Sequence, residues 1–175
     1  MKVGLVALGL ALLCTASASP VDNVKKISGI PLYSLAVAGN CTCMMKHKDD
    51  MKMMKVTLTA LDDKSVDMEL SIPFKGNCNK FHLNFKENEN GHYIHECAWG
   101  TKTIDDMVVN EAGWVLVRAI KEKDGQRCIM LGLHAPEREM TPEMQQGIKD
   151  YVVAQGIPED SIKILPEEVS CMENH

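Results

Sequence analysis

The chain has 175 residues, 45% of them hydrophobic and 25% charged. That length and balance fit one folded domain with a sizeable core and exclude wholesale disorder. Nineteen Lys and Arg face 24 Asp and Glu, so the net charge of −5 argues against a nucleic-acid binder, which needs a basic face.

Met1–Lys2 is a short basic start, and Val3 to Cys14 is an apolar run too short to span a bilayer. Ala16-Ser17-Ala18 then supplies small residues at the −3 and −1 positions of a signal-peptidase site. The expected signal peptide is therefore 1–18. The remaining 19–175 reads as one secreted domain without stable membrane association. Removing Lys2 leaves the mature chain at −6.

In an oxidising compartment the six cysteines after Cys14 point to disulfides, but six allow 15 full pairings. Asn40-Cys41-Thr42 is an N-x-T sequon, which makes Asn40 a glycosylation candidate. No cysteine pair has C-x-x-C spacing, and neither a metal nor an organic cofactor is implied.

Ile30 to Ala38 is an apolar stretch that reads as a strand. Met54, Val56, Leu58 and Ala60 then alternate with polar residues, the period of a half-buried strand. Val66, Met68, Leu70, Ile72 and Phe74 repeat the pattern, limited by Pro73. Phe81, Leu83 and Phe85 follow after Gly76-Asn77, and Asn90-Gly91 is a strong turn. Further strands are expected near His92–Trp99, Thr103–Val109, Trp114–Ile120 and Arg127–His134.

After Pro136 the period changes. Thr141-Pro142-Glu143 is a helix start, and Met144, Ile148, Tyr151 and Val152 share one face. Gly156 stops the helix, and Ser161 to Leu165 is a short last strand. Sequential strands with short connections predict an all-β, eight-stranded antiparallel up-and-down barrel, or calyx. Its residues are about 27–136, with one helix, 141–155, packed outside. A Greek-key sandwich is the rival. Eight strands leave an interior for one small ligand.

The inward-phase candidates are Met54, Val56, Leu58, Met68, Leu70, Ile72, Phe81, Leu83, Phe85, Leu116 and Met130. Alternation alone does not separate a filled barrel from a hollow one, although methionine suits a pocket accepting varied chains. Arg118 shares the phase of Trp114 and Leu116, which would place a guanidinium inside to meet a carboxylate. There is no G-x-S-x-G elbow and no H-E-x-x-H, so no enzyme is expected.

Lys26-Ile27-Ser28-Gly29, with Pro31 at the Trp position, looks like the entry to the G-x-W motif of the secreted lipocalins, which the chain resembles. Asn110-Glu111-Ala112 sits where many members have T-D-Y, and His134 stands at the position of the family's arginine before the helix. The helix from Thr141, then Gly156-Ile157-Pro158-Glu159-Asp160-Ser161-Ile162 and Cys171, is similar to the tear lipocalin and von Ebner's gland branch. Val56-Thr57-Leu58-Thr59 resembles that branch too, and the late lactation proteins of marsupial milk are the most alike.

The resemblance implies an extracellular carrier of a small hydrophobic ligand such as a fatty acid, found in milk or another glandular secretion, as a monomer or weak dimer. It also implies a Cys78–Cys171 disulfide. The alternatives are a thiol-dependent isomerase of the lipocalin type, using Cys97 or Cys128, and a nutritive milk protein with a filled barrel.

Overall fold

The computed structural model describes residues 19–172, so the expected signal peptide lies outside the described residues. Nine strands form one antiparallel sheet: β1 (Pro31–Gly39), β2 (Lys55–Ala60), β3 (Ser65–Phe74), β4 (Asn77–Glu87), β5 (Tyr93–Cys97), β6 (Gly100–Val109), β7 (Val115–Lys123), β8 (Gln126–Ala135) and β9 (Lys163–Ile164). The order is β2-β3-β4-β5-β6-β7-β8-β1-β9, and β1 also pairs with β2. That last pairing closes eight strands into an up-and-down barrel. The helices are α1 (Pro20–Ile27), α2 (Thr42–His47) and α3 (Pro142–Ala154).

Turn chemistry fixes the register. Phe74 opposes Asn77 across Lys75-Gly76, and Lys123 opposes Gln126 across Asp124-Gly125. All four turn residues have positive φ, the primed hairpin geometry that matches strand twist. These two turns, residues 98–99 and the segment from Asn40 to Met54 lie at one end of the barrel, its mouth. The connections β2–β3, β4–β5 and β6–β7 lie at the other end, the floor.

Two elements were not anticipated. Helix α1 begins with proline in its first turn and turns Val24 and Ile27 into the barrel floor. There the Asn23 side-chain amide donates to the Met107 carbonyl at 2.7 Å. Helix α2 covers part of the mouth. The floor also departs from the motif reading. The Trp and Arg expected of the family are absent at Pro31 and His134, yet an arginine does stack on a ring nearby. The Arg138 guanidinium lies 5.2 Å over the Tyr33 ring, and it also pairs with Glu167 at 2.8 Å.

Helix α3 packs outside, as its apolar face requires. Thr141 Oγ1 caps it by accepting from the Met144 N–H at 3.2 Å. Met144, Ile148 and Val152 are buried against Trp114, Leu116, Leu131 and Leu133 on the outer wall. The molecule therefore has two cores, one in the lumen and one between wall and helix. Among the described residues two disulfides brace it, Cys41–Cys128 at the mouth and Cys78–Cys171 between β4 and the C-terminal tail.

Candidate ligand cavity

The lumen holds a cavity of about 120 Å³. Its wall is built from period-two faces, so the cross-strand pairs Val56↔Leu70 and Leu58↔Met68 each present two apolar side chains on the same side. Of the expected lining residues, Met54, Val56, Leu58, Met68, Leu70 and Met130 border it.

Phe81, Leu83 and Phe85 oppose Leu70, Met68 and Val66, so they share the inward face without bordering the cavity. Phe85 is fully buried toward the floor. Phe81 is half exposed, because β4 pairs with β5 only at Lys86↔Ile94 and Glu87↔Tyr93 and the rest of the β3–β4 hairpin projects past it. Ile72, opposite Asn79, lies on that projecting hairpin.

Leu116 and Arg118 correct the reading of β7. Val115, Val117 and Ala119 border the cavity, so Leu116 and Arg118 point out of the barrel. Leu116 belongs to the core under α3. Arg118 grips Asp105 with two bonds, Nε to Oδ1 at 2.8 Å and Nη2 to Oδ2 at 2.9 Å, and donates to Gln155 just after α3. A register shift between Ile104 and Asp106 leaves Asp105 as the extra residue of a bulge, where it meets that guanidinium outside the wall. Asp106, also outside, accepts from the Tyr151 hydroxyl of α3 at 2.7 Å. The Asp105 contact raises the Arg118 pKa, and burial raises that of Tyr151. This cluster ties the helix to the wall and does not face a ligand.

Three polar lumen residues were missed by sequence reasoning: Lys102, His134 and Ser34. Lys102 shares the phase of Ile104, and His134 that of Met130, so alternation carried the signal. The Nδ1 atom of His134 lies 2.9 Å from Ser34 Oγ. Gly132 makes space for the ring, since a Cβ there would stand 2.7 Å from His134 Nε2. Burial and the nearby Lys102 push the His134 imidazole down to about 4, so the ring is neutral at neutral pH. Burial, then the Lys121 ammonium, pushes the Lys102 pKa down. Among the described residues no carboxylate pairs with Lys102.

Above the lumen, a vestibule of about 760 Å³ opens between α2 and the tips of β7 and β8. Met130 borders both spaces, and the Cys41–Cys128 disulfide forms part of the vestibule wall. Cys128 is thus not a free thiol, and Cys97 is exposed at the end of β5. Asn40 is also exposed at the mouth, with its Oδ1 accepting from the Ile129 N–H at 2.7 Å.

A closed eight-stranded calyx with an outer C-terminal helix defines the class of small-ligand β-barrels. The lipocalin / cytosolic fatty-acid binding protein family model matches residues 32–169, and the chain belongs to that family. It is 22% identical over 174 residues to the extracellular fatty acid-binding protein of Gallus gallus, covering 98% of this chain and 97% of that protein. A lipocalin of Rhinella marina is 24% identical over 169 residues, covering 93% and 92%. Among solved structures, the siderocalin Ex-FABP, described as functioning through dual ligand specificities, superposes with a TM-score of 0.69 at 21% identity over 86% of this chain and 96% of its own.

Proposed function

We propose that this protein is a secreted carrier of an amphiphilic monocarboxylic acid of the fatty-acid type. The observation that carries the reading is Lys102, an amine without a carboxylate partner among the described residues, on the wall of a mostly apolar cavity. A carboxylate headgroup restores the charge that burial disfavours, while the alkyl chain displaces water from the methionine- and leucine-lined lumen. The lumen is smaller than the ~300–1,000 Å³ of ordinary ligand pockets. The chain therefore extends into the vestibule past Met130, whose unbranched side chain re-packs at low cost.

Displacement of a fluorescent fatty-acid probe tests this. One saturable site is expected, with affinity for the acid above that for the alcohol of equal length. Lys102→Met abolishes that preference and keeps residual binding of the alcohol. The small lumen favours one second reading, a nutritive protein with a filled barrel, which predicts no saturable site.

We further place the chain in the tear lipocalin and von Ebner's gland branch, nearest the late lactation proteins of milk, with cleavage after Ala18 and a glycan on Asn40. The motifs from Thr141 to Cys171 support the branch. Mass spectrometry of the protein from its secretion reads the start, the glycan and any bound acid together.

A further inference from the structure

The mouth carries all the strongly exposed aromatic side chains of the described residues. Trp99 is 72% exposed, Phe74 59% and Phe81 49%. Trp99 forms the β5–β6 turn, and Phe74 the tip of the β3–β4 hairpin. Each has a lysine over its ring: Lys123 Nζ lies 5.3 Å from the Trp99 centroid and Lys75 Nζ 5.2 Å from that of Phe74. Around these rings the charge is opposite to that of the whole. Residues 40–54, 74–80, 96–101 and 121–128 hold eight Lys and Arg against five Asp and Glu, in a chain whose total is −5.

Large apolar side chains left in water beside a binding cavity mark an interaction surface. Here they do not form one flat face. They stand on two hairpins, β3–β4 and β5–β6, beside the opening, with a lysine over two of the three rings. A rigid protein partner needs a continuous complementary patch, whereas a lipid surface adapts to a crown of this kind. Tryptophan settles at the level of lipid headgroups, and lysine stems lie along apolar surface while their ammonium groups reach phosphates. Local positive charge on an acidic protein selects anionic lipid and holds the opposite end away.

We propose that the protein docks reversibly and mouth-first on anionic phospholipid surfaces, with Trp99 and Phe74 at the headgroup boundary and the surrounding lysines on lipid phosphates. The opening of the vestibule then faces the bilayer. The surface stands on the outer rim and not on what the lumen holds, so its failure leaves the carrier reading untouched.

Trp99 is its own reporter, because the other tryptophan, Trp114, is buried under α3. The mature chain is mixed with vesicles of phosphatidylcholine alone or with added phosphatidylserine. With phosphatidylserine, Trp99 emission shifts to the blue, brominated acyl chains quench it, and raised salt reverses both effects. Lys75→Glu with Lys123→Glu, shown folded by circular dichroism, weakens the apparent vesicle affinity about tenfold or more. Trp99→Ser with Phe74→Ser, read by co-sedimentation, does the same. The proposal is overturned by an absent Trp99 response, by equal responses to both vesicle types, or by unchanged affinity in the charge-reversed variant. A blue shift that grows with protein concentration without lipid also overturns it, since it marks pairing between copies.

Discussion

Two arcs of the barrel wall share one hydrogen-bonded ladder and differ in what lies behind it. Strands β2 and β3 present Val56, Leu58 and Met68 to the lumen and polar groups such as Thr57, Asp67 and Glu69 to the outside. Strands β7 and β8 carry apolar side chains on both faces, with Val117 and Ala119 inside and Leu116, Leu131 and Leu133 outside beneath α3. On the first arc the same side chains hold the wall together and line the cavity. On the second the outer core fixes the wall whatever the lumen contains. A calyx stays partly hollow because much of its packing energy is outside the barrel.

Removing methylenes on each arc gives the largest contrast. Leu133 is 0% exposed in the outer core. Leu133→Ala should cost about 2–5 kcal/mol of unfolding free energy in urea titration. It should leave probe affinity nearly unchanged. Leu70→Ala, at a half-buried cavity position, should cost less than half as much and change affinity. Equal stability losses, or an affinity change confined to the Leu133 variant, would remove the division between the arcs.

The first arc has one outer brace, the tail anchored by Cys78–Cys171 across a separation of 93 residues. Cys78→Ser with Cys171→Ser should lower stability by roughly 2–4 kcal/mol through the released unfolded chain. Hydrogen exchange should rise along β3 and β4 and stay low along β7 and β8. Uniform exchange across both arcs would show that the tail braces the whole barrel.

Acid acts on the lumen through His134. The folded His134 titrates near 4, against about 6.5 when unfolded. Between those values the unfolded chain binds the extra proton, so stability is full above pH ~6.5 and falls as the pH drops toward 4. The group contributes about 3 kcal/mol to that loss, and His134→Asn should flatten the slope across this window. An unchanged slope would place the acid sensitivity elsewhere.

The same two arcs explain what the sequence disclosed. On β2 and β3 one face is polar, so alternation reveals the inward set. On β7 Val115, Leu116 and Val117 are apolar in succession, and a two-sided burial has no phase to read. Arg118 therefore reads as inward with Leu116, and its partner Asp105 is set by a bulge that no local pattern announces. Lys102 and His134 are legible in phase, but a polar side chain does not by itself mark the lining of an apolar lumen. Helix α1 spans only eight residues, too short for the helical spacing of Val21, Val24 and Ile27 to stand out. The helix from Thr141 was clear because its cap, proline and apolar face agree.

The smallest effect has the sharpest sign. Gly147 lies in the middle of α3, where alanine is intrinsically better by about 1 kcal/mol. A Cβ at Gly147 would stand 2.7 Å from Cη2 of Trp114 and 3.2 Å from its Cζ3. That indole is buried against the second arc, and a rigid ring shifts only by moving its neighbours. Overpacking of this kind costs ~1–3 kcal/mol, so Gly147→Ala should be net destabilising by about 1 kcal/mol despite the better helix former. In a Trp114→Phe background the outer half of the indole is gone. The same substitution should then stabilise by about the propensity difference, and the double-mutant cycle isolates the contact. Stabilisation by Gly147→Ala in the wild-type background would mean that the helix sits further from the wall than its packing on Trp114 requires.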